Sequence, residues 1–458
     1  TISNSGSINA TANENDDGQA YGIYAYDYNN ITNSGSMSAT ANENDATGEA
    51  YGIYAENNNT IFNSGSISAN ANENSADGYA YGIRAYDSNT ITNSGSINVN
   101  ASTNDVGTDG YAYGIFAENS NTISNSGSIT AIANNNDGET YVYGIYANKY
   151  NTISNSGSIS ATANENDDDG YAHGIRAYDS NTITNSGSIS ASANNNAIDG
   201  LAAGIAIAND SNTITNRGSI IARASGNGGE NKAYGIYITG DDNTITNSGS
   251  IKAYGKTSYA IYINGNNNVL NLEKGCSLHG DIADLGFEGT ATTVNLASGN
   301  RYYITYDGID PTVKAPGFLV TQKKDGNFDG RANGLIASVD PKKLPVSSSE
   351  AQTVGTGQAL HSVLFDRMKA GGNSWWTTGY GNVIYRDEDK THSRGILTGI
   401  DTKLGFLKRL GVFAGLSRGY AKENDNTWEV KSRGYTLGTY AEAKFNKLSS
   451  GFVLSYGK

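Results

Sequence analysis

"NTITNSGSI" stands at 89–97 and returns unchanged at 181–189 and 243–251, with near-copies through most of the first 270 residues. Counted in twos, Asn89, Ile91, Asn93, Gly95, Ile97 and Val99 share one parity, and Thr90, Thr92, Ser94, Ser96 and Asn98 share the other. A period of two means short strands with one buried face, and it excludes a helix. Ile83 and Ala85 of "YGIRA" repeat the pattern with Arg84 between them.

The copies keep a fixed period. The glycine of "NSG" recurs at Gly6, Gly35, Gly65, Gly95, Gly127, Gly157, Gly187, Gly218 and Gly249, at spacings of 29 to 32 residues. The glycine of "YGI" accompanies it at Gly22, Gly52, Gly82, Gly114, Gly144, Gly174, Gly204 and Gly235. Length varies almost wholly in the acidic segment between the two marks, as a loop varies between fixed strands. About three short strands per unit cannot bury a core alone, but stacked units can, each strand pairing with its copy ~4.8 Å away. The predicted unit is therefore one coil of a parallel β-solenoid, and nine coils span on the order of 43 Å.

The stack explains the composition. Apolar residues make up only 37% of the 458, and glycine reaches 57, as expected for a narrow core of isoleucine on isoleucine. Asparagine on the inward parity, at Asn33, Asn63, Asn93, Asn125, Asn155, Asn185, Asn216 and Asn247, predicts a ladder in which each amide donates to one coil and accepts from the other. The glycine beside it is expected to turn a tight corner with positive φ. All four prolines, Pro311, Pro316, Pro341 and Pro345, lie after the repeats, because a strand paired on both sides cannot spare an N–H.

Charge is unevenly placed. Residues 1–270 hold 8 Lys/Arg against 26 Asp/Glu, a balance of −18, and the remainder balances at +4. An acidic solenoid argues against nucleic acid as a partner. The single cysteine, Cys276, excludes an internal disulfide and a cysteine-based metal cluster. No apolar run approaches the roughly 18 residues of a membrane helix.

Regularity fades after Ile263. Residues 264–346 read as degenerate coils, a cap and a linker, since an open solenoid end invites edge pairing. Within 347–371, Ser347 and Glu350 have capping-box spacing, and Leu360, Val363, Leu364 and Met368 share a helical face. From Trp375, segments of ten residues or more alternate: Leu410, Val412, Ala414 and Leu416 oppose Gly411, Phe413, Gly415 and Ser417. Apolar on one side with small and polar on the other, joined by alternately long and short connections, fits strands of a transmembrane β-barrel. A soluble antiparallel sheet is the alternative.

This order of parts, with "NSGSI" and "YGIYA" coils followed by "WWTTGYG", "GILTGIDTKLG", "LGVFAGLS" and "YTLGTYAEAKF", resembles a classical autotransporter of the type V secretion family. The resemblance implies an all-β chain: a right-handed parallel β-helix of ~30-residue coils over 1–263, a lumen helix over 347–371, and the N-terminal part of an outer-membrane barrel over 372–458. It implies export through that barrel, with the barrel-assembly machinery as a partner, and display on the surface of a Gram-negative cell. The family's barrel has about a dozen strands and five are legible here, and the chain opens partway through a repeat. It is therefore expected to be a fragment at both ends.

No catalytic residue, cofactor or metal is expected. His173, His279, His361 and His392 stand in no nucleophile–base pattern, and His173 replaces the tyrosine of "YGI". A lyase site would need clustered carboxylates with Lys or Arg breaking the repeat. Loops such as "NENDDDG" could bind calcium but lack the spacing of known calcium motifs. Two threonine files, including Thr60, Thr90 and Thr122, raise ice binding as a further alternative. The variable outward position, Tyr24, Tyr54, Arg84, Phe116, Tyr146, Arg176 and Tyr237, is the candidate contact stripe for glycans or proteins. The expectation is an adhesin or structural spacer acting through repeated weak contacts; the alternatives are an exported polysaccharide-acting enzyme and a calcium- or ice-binding module.

Overall fold

A thirty-residue unit of short strands leaves every strand edge unpaired, and stacking in register satisfies those edges. The protein, described from a computed structural model, is built that way. The structure describes residues 1–339, 362–364 and 374–457, apart from 14–16, 45, 73, 75, 103–107, 135, 137, 165, 167, 197, 227–228, 298–301, 317–318, 329–331, 387–388, 405–406, 424–428 and 446–447. The chain divides into two units, Thr1–Asp340 and Pro341–Lys458.

In the first unit each coil supplies three strands, for example Thr90–Asn93, Ser96–Ser102 and Gly110–Asn119. Each pairs in parallel with its copies on both sides. Ile91 lies between Ile61 and Ile123, and Ile97 between Ile67 and Ile129. Ile115 lies likewise between Ile83 and Ile145. Among the described residues the three resulting sheets hold 12, 10 and 13 strands. Their inner faces give one continuous core of isoleucine and alanine that is almost wholly closed to solvent. The fold is the all-β parallel solenoid that the alternation predicts.

The corners correct one expectation. The "NSG" glycines do not have positive φ; among the described residues the positive-φ glycines are Gly275 and Gly308. Glycine is needed there for a different reason. A Cβ at Gly95 would stand 2.0 Å from the carbonyl oxygen of Gly65 in the coil before. The left-handed residue sits elsewhere, one position before a buried asparagine: Asn58, Ser88, Ser120, Tyr150, Ser180, Ser211, Asp242 and Asn267 have φ between 55° and 60°. That conformation lets the next side chain reach back to the preceding coil. Asn121 Oδ1 accepts the Asn89 N–H at 2.8 Å, and Asn121 Nδ2 donates to the Tyr86 carbonyl at 2.6 Å.

The "YGI" glycine shifts the parity of its strand. Pairing passes from Tyr113 with Tyr143 to Ile115 with Ile145, skipping the glycines. A Cβ on Gly114 would meet Ile129 Cγ2 at 2.3 Å, so glycine and isoleucine both face the core. The tyrosine before them is thereby turned outward.

Coils continue through Val269–Leu272, Ser277–Gly280, Ala283–Phe287 and Thr293–Leu296. The third sheet then changes direction. Tyr302–Gly308 pairs antiparallel with Ala332–Val339, which pairs antiparallel with Leu319–Phe328. That last strand carries the exposed Lys323, and charge on an edge strand discourages further pairing.

In the second unit five strands, Ser374–Arg386, Asp389–Leu404, Leu407–Glu423, Glu429–Phe445 and Leu448–Gly457, form one antiparallel sheet in chain order. Trp375, Ile400 and Val412 lie side by side on one face, as do Ile396, Leu416 and Tyr435; all are exposed. On the other face Trp376, Tyr380, Leu397, Phe413 and Tyr440 pack with Leu364. Glycines opposite these rings leave room for them: a Cβ on Gly399 would meet Trp376, and one on Gly438 would meet Phe413. Trp376 Nε1 donates to Tyr440 Oη at 3.1 Å, and Tyr440 donates to Asp401, beside the buried Arg409. Of the helix expected over 347–371, Ser362–Leu364 are helical and the rest lies outside the described residues.

Candidate functional site

Parallel in-register stacking turns each sequence position into a file that runs from coil to coil. A file of identical amides is self-satisfying. From Asn33 through Asn63, Asn93, Asn125, Asn155, Asn185 and Asn216 to Asn247, each Nδ2 donates to the next Oδ1 at 2.7–2.8 Å. All eight side chains are buried. A second file, Asn59, Asn89, Asn121, Asn151, Asn181, Asn212, Asn243 and Asn268, is equally buried. It bonds to backbone of the adjoining coils, as Asn121 does. Both files hold the corners of the first sheet and leave its outer threonines, such as Thr60, Thr90 and Thr122, exposed.

The outer face of the third sheet is aromatic, and three files make it. Tyr79, Tyr111, Tyr141 and Tyr171 form one, with ring centroids 4.5–5.1 Å apart. Tyr21, Tyr51, Tyr81, Tyr113 and Tyr143 form the next at 4.7–5.1 Å, continued by His173 at 5.5 Å. The third is the candidate stripe. Tyr24 stacks on Tyr54 at 4.6 Å and Phe116 on Tyr146 at 4.8 Å, with Arg84 and Arg176 in the intervening places. Tyr24 is 41% exposed and the others are half-buried. Neighbouring files meet edge to face, Tyr113 against Phe116 at 80° for example.

Arg84 is the best-enclosed cation of this face. Its guanidinium lies 5.1–5.9 Å from the ring centres of Tyr51, Tyr54, Tyr81, Tyr86 and Phe116, and it donates to Tyr51 Oη at 3.3 Å. Arg176 covers Tyr178 at 5.3 Å. The stack breaks at Gly200–Ile207, where Leu201, Ala203 and Ala206 occupy the three files, and it resumes at Tyr234 and Tyr237. His173 at the break is buried, its Nδ1 has no partner, and burial followed by the charge of Arg176 holds its pKa well below the ordinary histidine value. It is neutral and packs as the tyrosines do.

Two consequences follow from the geometry. Because the rings stack along the coil axis, their faces cover one another, and outward contact is left to ring edges and phenol hydroxyls. Like charges would also fall on one another in any ionic file, which is destabilising. The file at the strand end avoids this by running Asp27, Asn57, Asp87, Asn119, Lys149, Asp179 and Asn209, with Asn57 Nδ2 donating to Asp27 Oδ1 at 2.9 Å and Lys149 pairing with Asp179 at 3.4 Å.

The stacked phenols make the solenoid sensitive to alkali. Burial, then the Asp77 carboxylate, pushes the Tyr79 hydroxyl up to about 12, and burial does the same to Tyr143. A folded pKa above the ordinary 10.0 stabilises the fold fully below that value and loses its contribution as pH rises through about 12. Circular dichroism should show stability falling across this window, with phenolate absorbance rising together with unfolding. Complete phenolate formation near pH 10 with the β-signal intact would contradict the burial of the files.

Among the described residues no three His, Cys, Asp or Glu side chains converge as metal ligands do. Sequence parity overlooks the two inner tyrosine files, because the skipped glycine reverses their direction. The signal that points to them is repetition of tyrosine itself, since a core position stacked this tightly would select smaller residues.

A family model described as the BigA third pectate lyase-like domain matches residues 1–187. No curated protein and no solved structure matches the chain. The matched residues and the stacked coils fit a β-helical passenger of an autotransporter-like protein.

Proposed function

We propose that the solenoid is a surface-displayed passenger without catalytic activity, and that it works as an adhesin or structural spacer. Its main support is the aromatic face itself: the same edges and hydroxyls are presented coil after coil. Such a face makes many weak contacts, and linked contacts gain through effective concentration. Edges and hydroxyls suit hydrogen-bonding partners, such as surface proteins or the hydroxyls of glycans, better than ligands that must stack on an open ring.

The C-terminal sheet serves in this reading as strands of an outer-membrane barrel. Strands of 10 to 17 residues are long enough to cross a bilayer at a tilt, about 9–11 being needed. Their exposed face is apolar at Ile396, Ile400, Val412, Leu416, Leu437 and Leu454, as a lipid-facing side requires. No helix of the described residues is long and apolar enough to span a membrane. Assembly machinery of the outer membrane is the partner this placement requires.

Protease applied to intact cells producing the protein tests the reading. Residues 1–263 should be removed while a periplasmic marker survives. If the solenoid stays protected under those conditions, surface display is wrong.

A further inference from the structure

The outer face of the second sheet changes character near its end. One file runs Asn98, Thr130, Ser160 and Ser190, then Ile221, Lys252 and His279; the next ends in Arg223 and Tyr254. Five of the eight Lys/Arg in residues 1–270 fall between Arg217 and Lys256. Two of the five, Arg223 and Lys256, border a cleft of ≈ 480 Å³ that Tyr254, Asn194, Asn231 and Asp281 also line, a size that suits a small ligand, roughly 300–1,000 Å³ being usual. The cleft lies outside the residues that the family model matches.

Its chemistry is mixed in an informative way. The Arg223 guanidinium lies 4.5 Å over the Tyr254 ring, and His279 meets the same ring at 5.3 Å. Arg223 has no carboxylate partner among the described residues, whereas Lys232 is paired with Glu230. Lys256 Nζ is tethered to the Gly229 carbonyl at 3.0 Å. Acceptors face the same space. Asp281 takes the Gly255 N–H at 3.2 Å and lies 3.7 Å from His279 Nε2. Asn231 is only 5% exposed; its Nδ2 donates to the Gly226 carbonyl at 3.3 Å, but its buried Oδ1 has no partner. That Oδ1 is closed to solvent and lies 3.0 Å from where a Cβ on Gly200 would stand, so Asn231 packs beneath the cleft, and Asp281, with its side chain 36% exposed, is the acceptor open to a ligand.

We propose that this cleft binds an acidic sugar residue of a glycan, with Arg223 and Lys256 holding the carboxylate, Asp281 accepting ring hydroxyls, and Tyr254 lining the apolar side. A compact anion such as phosphate sets its charge against the Asp281 carboxylate, and a neutral sugar brings no counter-charge for Arg223. A carboxylated sugar answers both. The site is independent of how the protein is displayed, because it uses only side chains of the solenoid.

Isothermal titration of the full chain tests it, with the methyl glycosides of glucuronic, galacturonic and N-acetylneuraminic acid as probes. Methyl glucoside, acetate and phosphate serve as comparisons. At least one acidic glycoside should bind saturably and more tightly than all three comparisons. Arg223→Ala and Lys256→Ala, both at exposed positions, should each weaken it by about tenfold or more, as loss of a charge-assisted bond does, with unchanged circular dichroism. The proposal fails if no acidic glycoside binds, if acetate or phosphate binds as tightly, if the neutral glycoside does, or if both variants leave affinity unchanged.

Discussion

Asn125→Ala lowers the stability of the solenoid by ~2–4 kcal/mol, the cost of several buried bonds lost at once. Asn125 Nδ2 donates to Asn155 Oδ1 at 2.8 Å and to the Ser158 carbonyl at 3.2 Å, and its Oδ1 accepts from Asn93 Nδ2 at 2.8 Å. Alanine removes all three and leaves the Asn155 acceptor unpaired in a dry corner, while Asn93 keeps its bond to the Ser128 carbonyl at 3.3 Å. Since each coil touches only its neighbours, the damage should be local. Hydrogen exchange should speed up in the three or so coils around Asn125 and much less near Asn247. An effect below about 0.5 kcal/mol, the range of ordinary surface changes, would mean that water satisfies these amides and that no dry ladder exists.

Gly127→Ala is more severe, at ~3 kcal/mol or beyond, because the obstruction is backbone and cannot turn aside. Its Cβ would stand 2.0 Å from the Gly95 carbonyl oxygen, which itself accepts the Ser128 N–H at 2.9 Å. The two coils can separate only by giving up ladder bonds. Gly6 occupies the same place in the same motif, and in this chain a Cβ there meets nothing within 4 Å. Gly6→Ala should therefore be close to neutral. Denaturant unfolding of both variants separates stacking from local turn chemistry: equal losses would indicate that the motif, and not the coil beneath it, demands glycine.

How far the fold is legible depends on what each residue answers to. Isoleucine at Ile91 or Ile97 answers to burial, and alternation reveals burial, so strands and core can be read directly. The file from Asn33 to Asn247 answers to its own copies, and the constant period displays those copies. The corner is less readable. Asn58, Ser88, Tyr150 and Asp242 share a left-handed backbone but no side-chain chemistry, so composition does not mark the position. Glycine at Gly95 signals close approach between coils as readily as positive φ, and only the stacked geometry separates the two. The tyrosines at Tyr51, Tyr81 and Tyr113 are obscured by the skipped glycine, which reverses parity within one strand. The cleft near Arg223 is visible in sequence only as a departure from the repeat, because its side chains come from four coils that meet after stacking.

Cross-linking across one register pair tests the stack most directly. With Cys276 replaced by serine, the double variant Thr122→Cys/Thr152→Cys places two thiols on adjacent outward positions of paired parallel strands, ~4.8 Å apart along the stack and within the span a disulfide accepts. The pair Thr122→Cys/Ile153→Cys puts one thiol outside and one in the core. Mild oxidation should close the first pair rapidly and leave the second open. Equal rates for the two, or no closure of the first, would contradict in-register stacking of the coils.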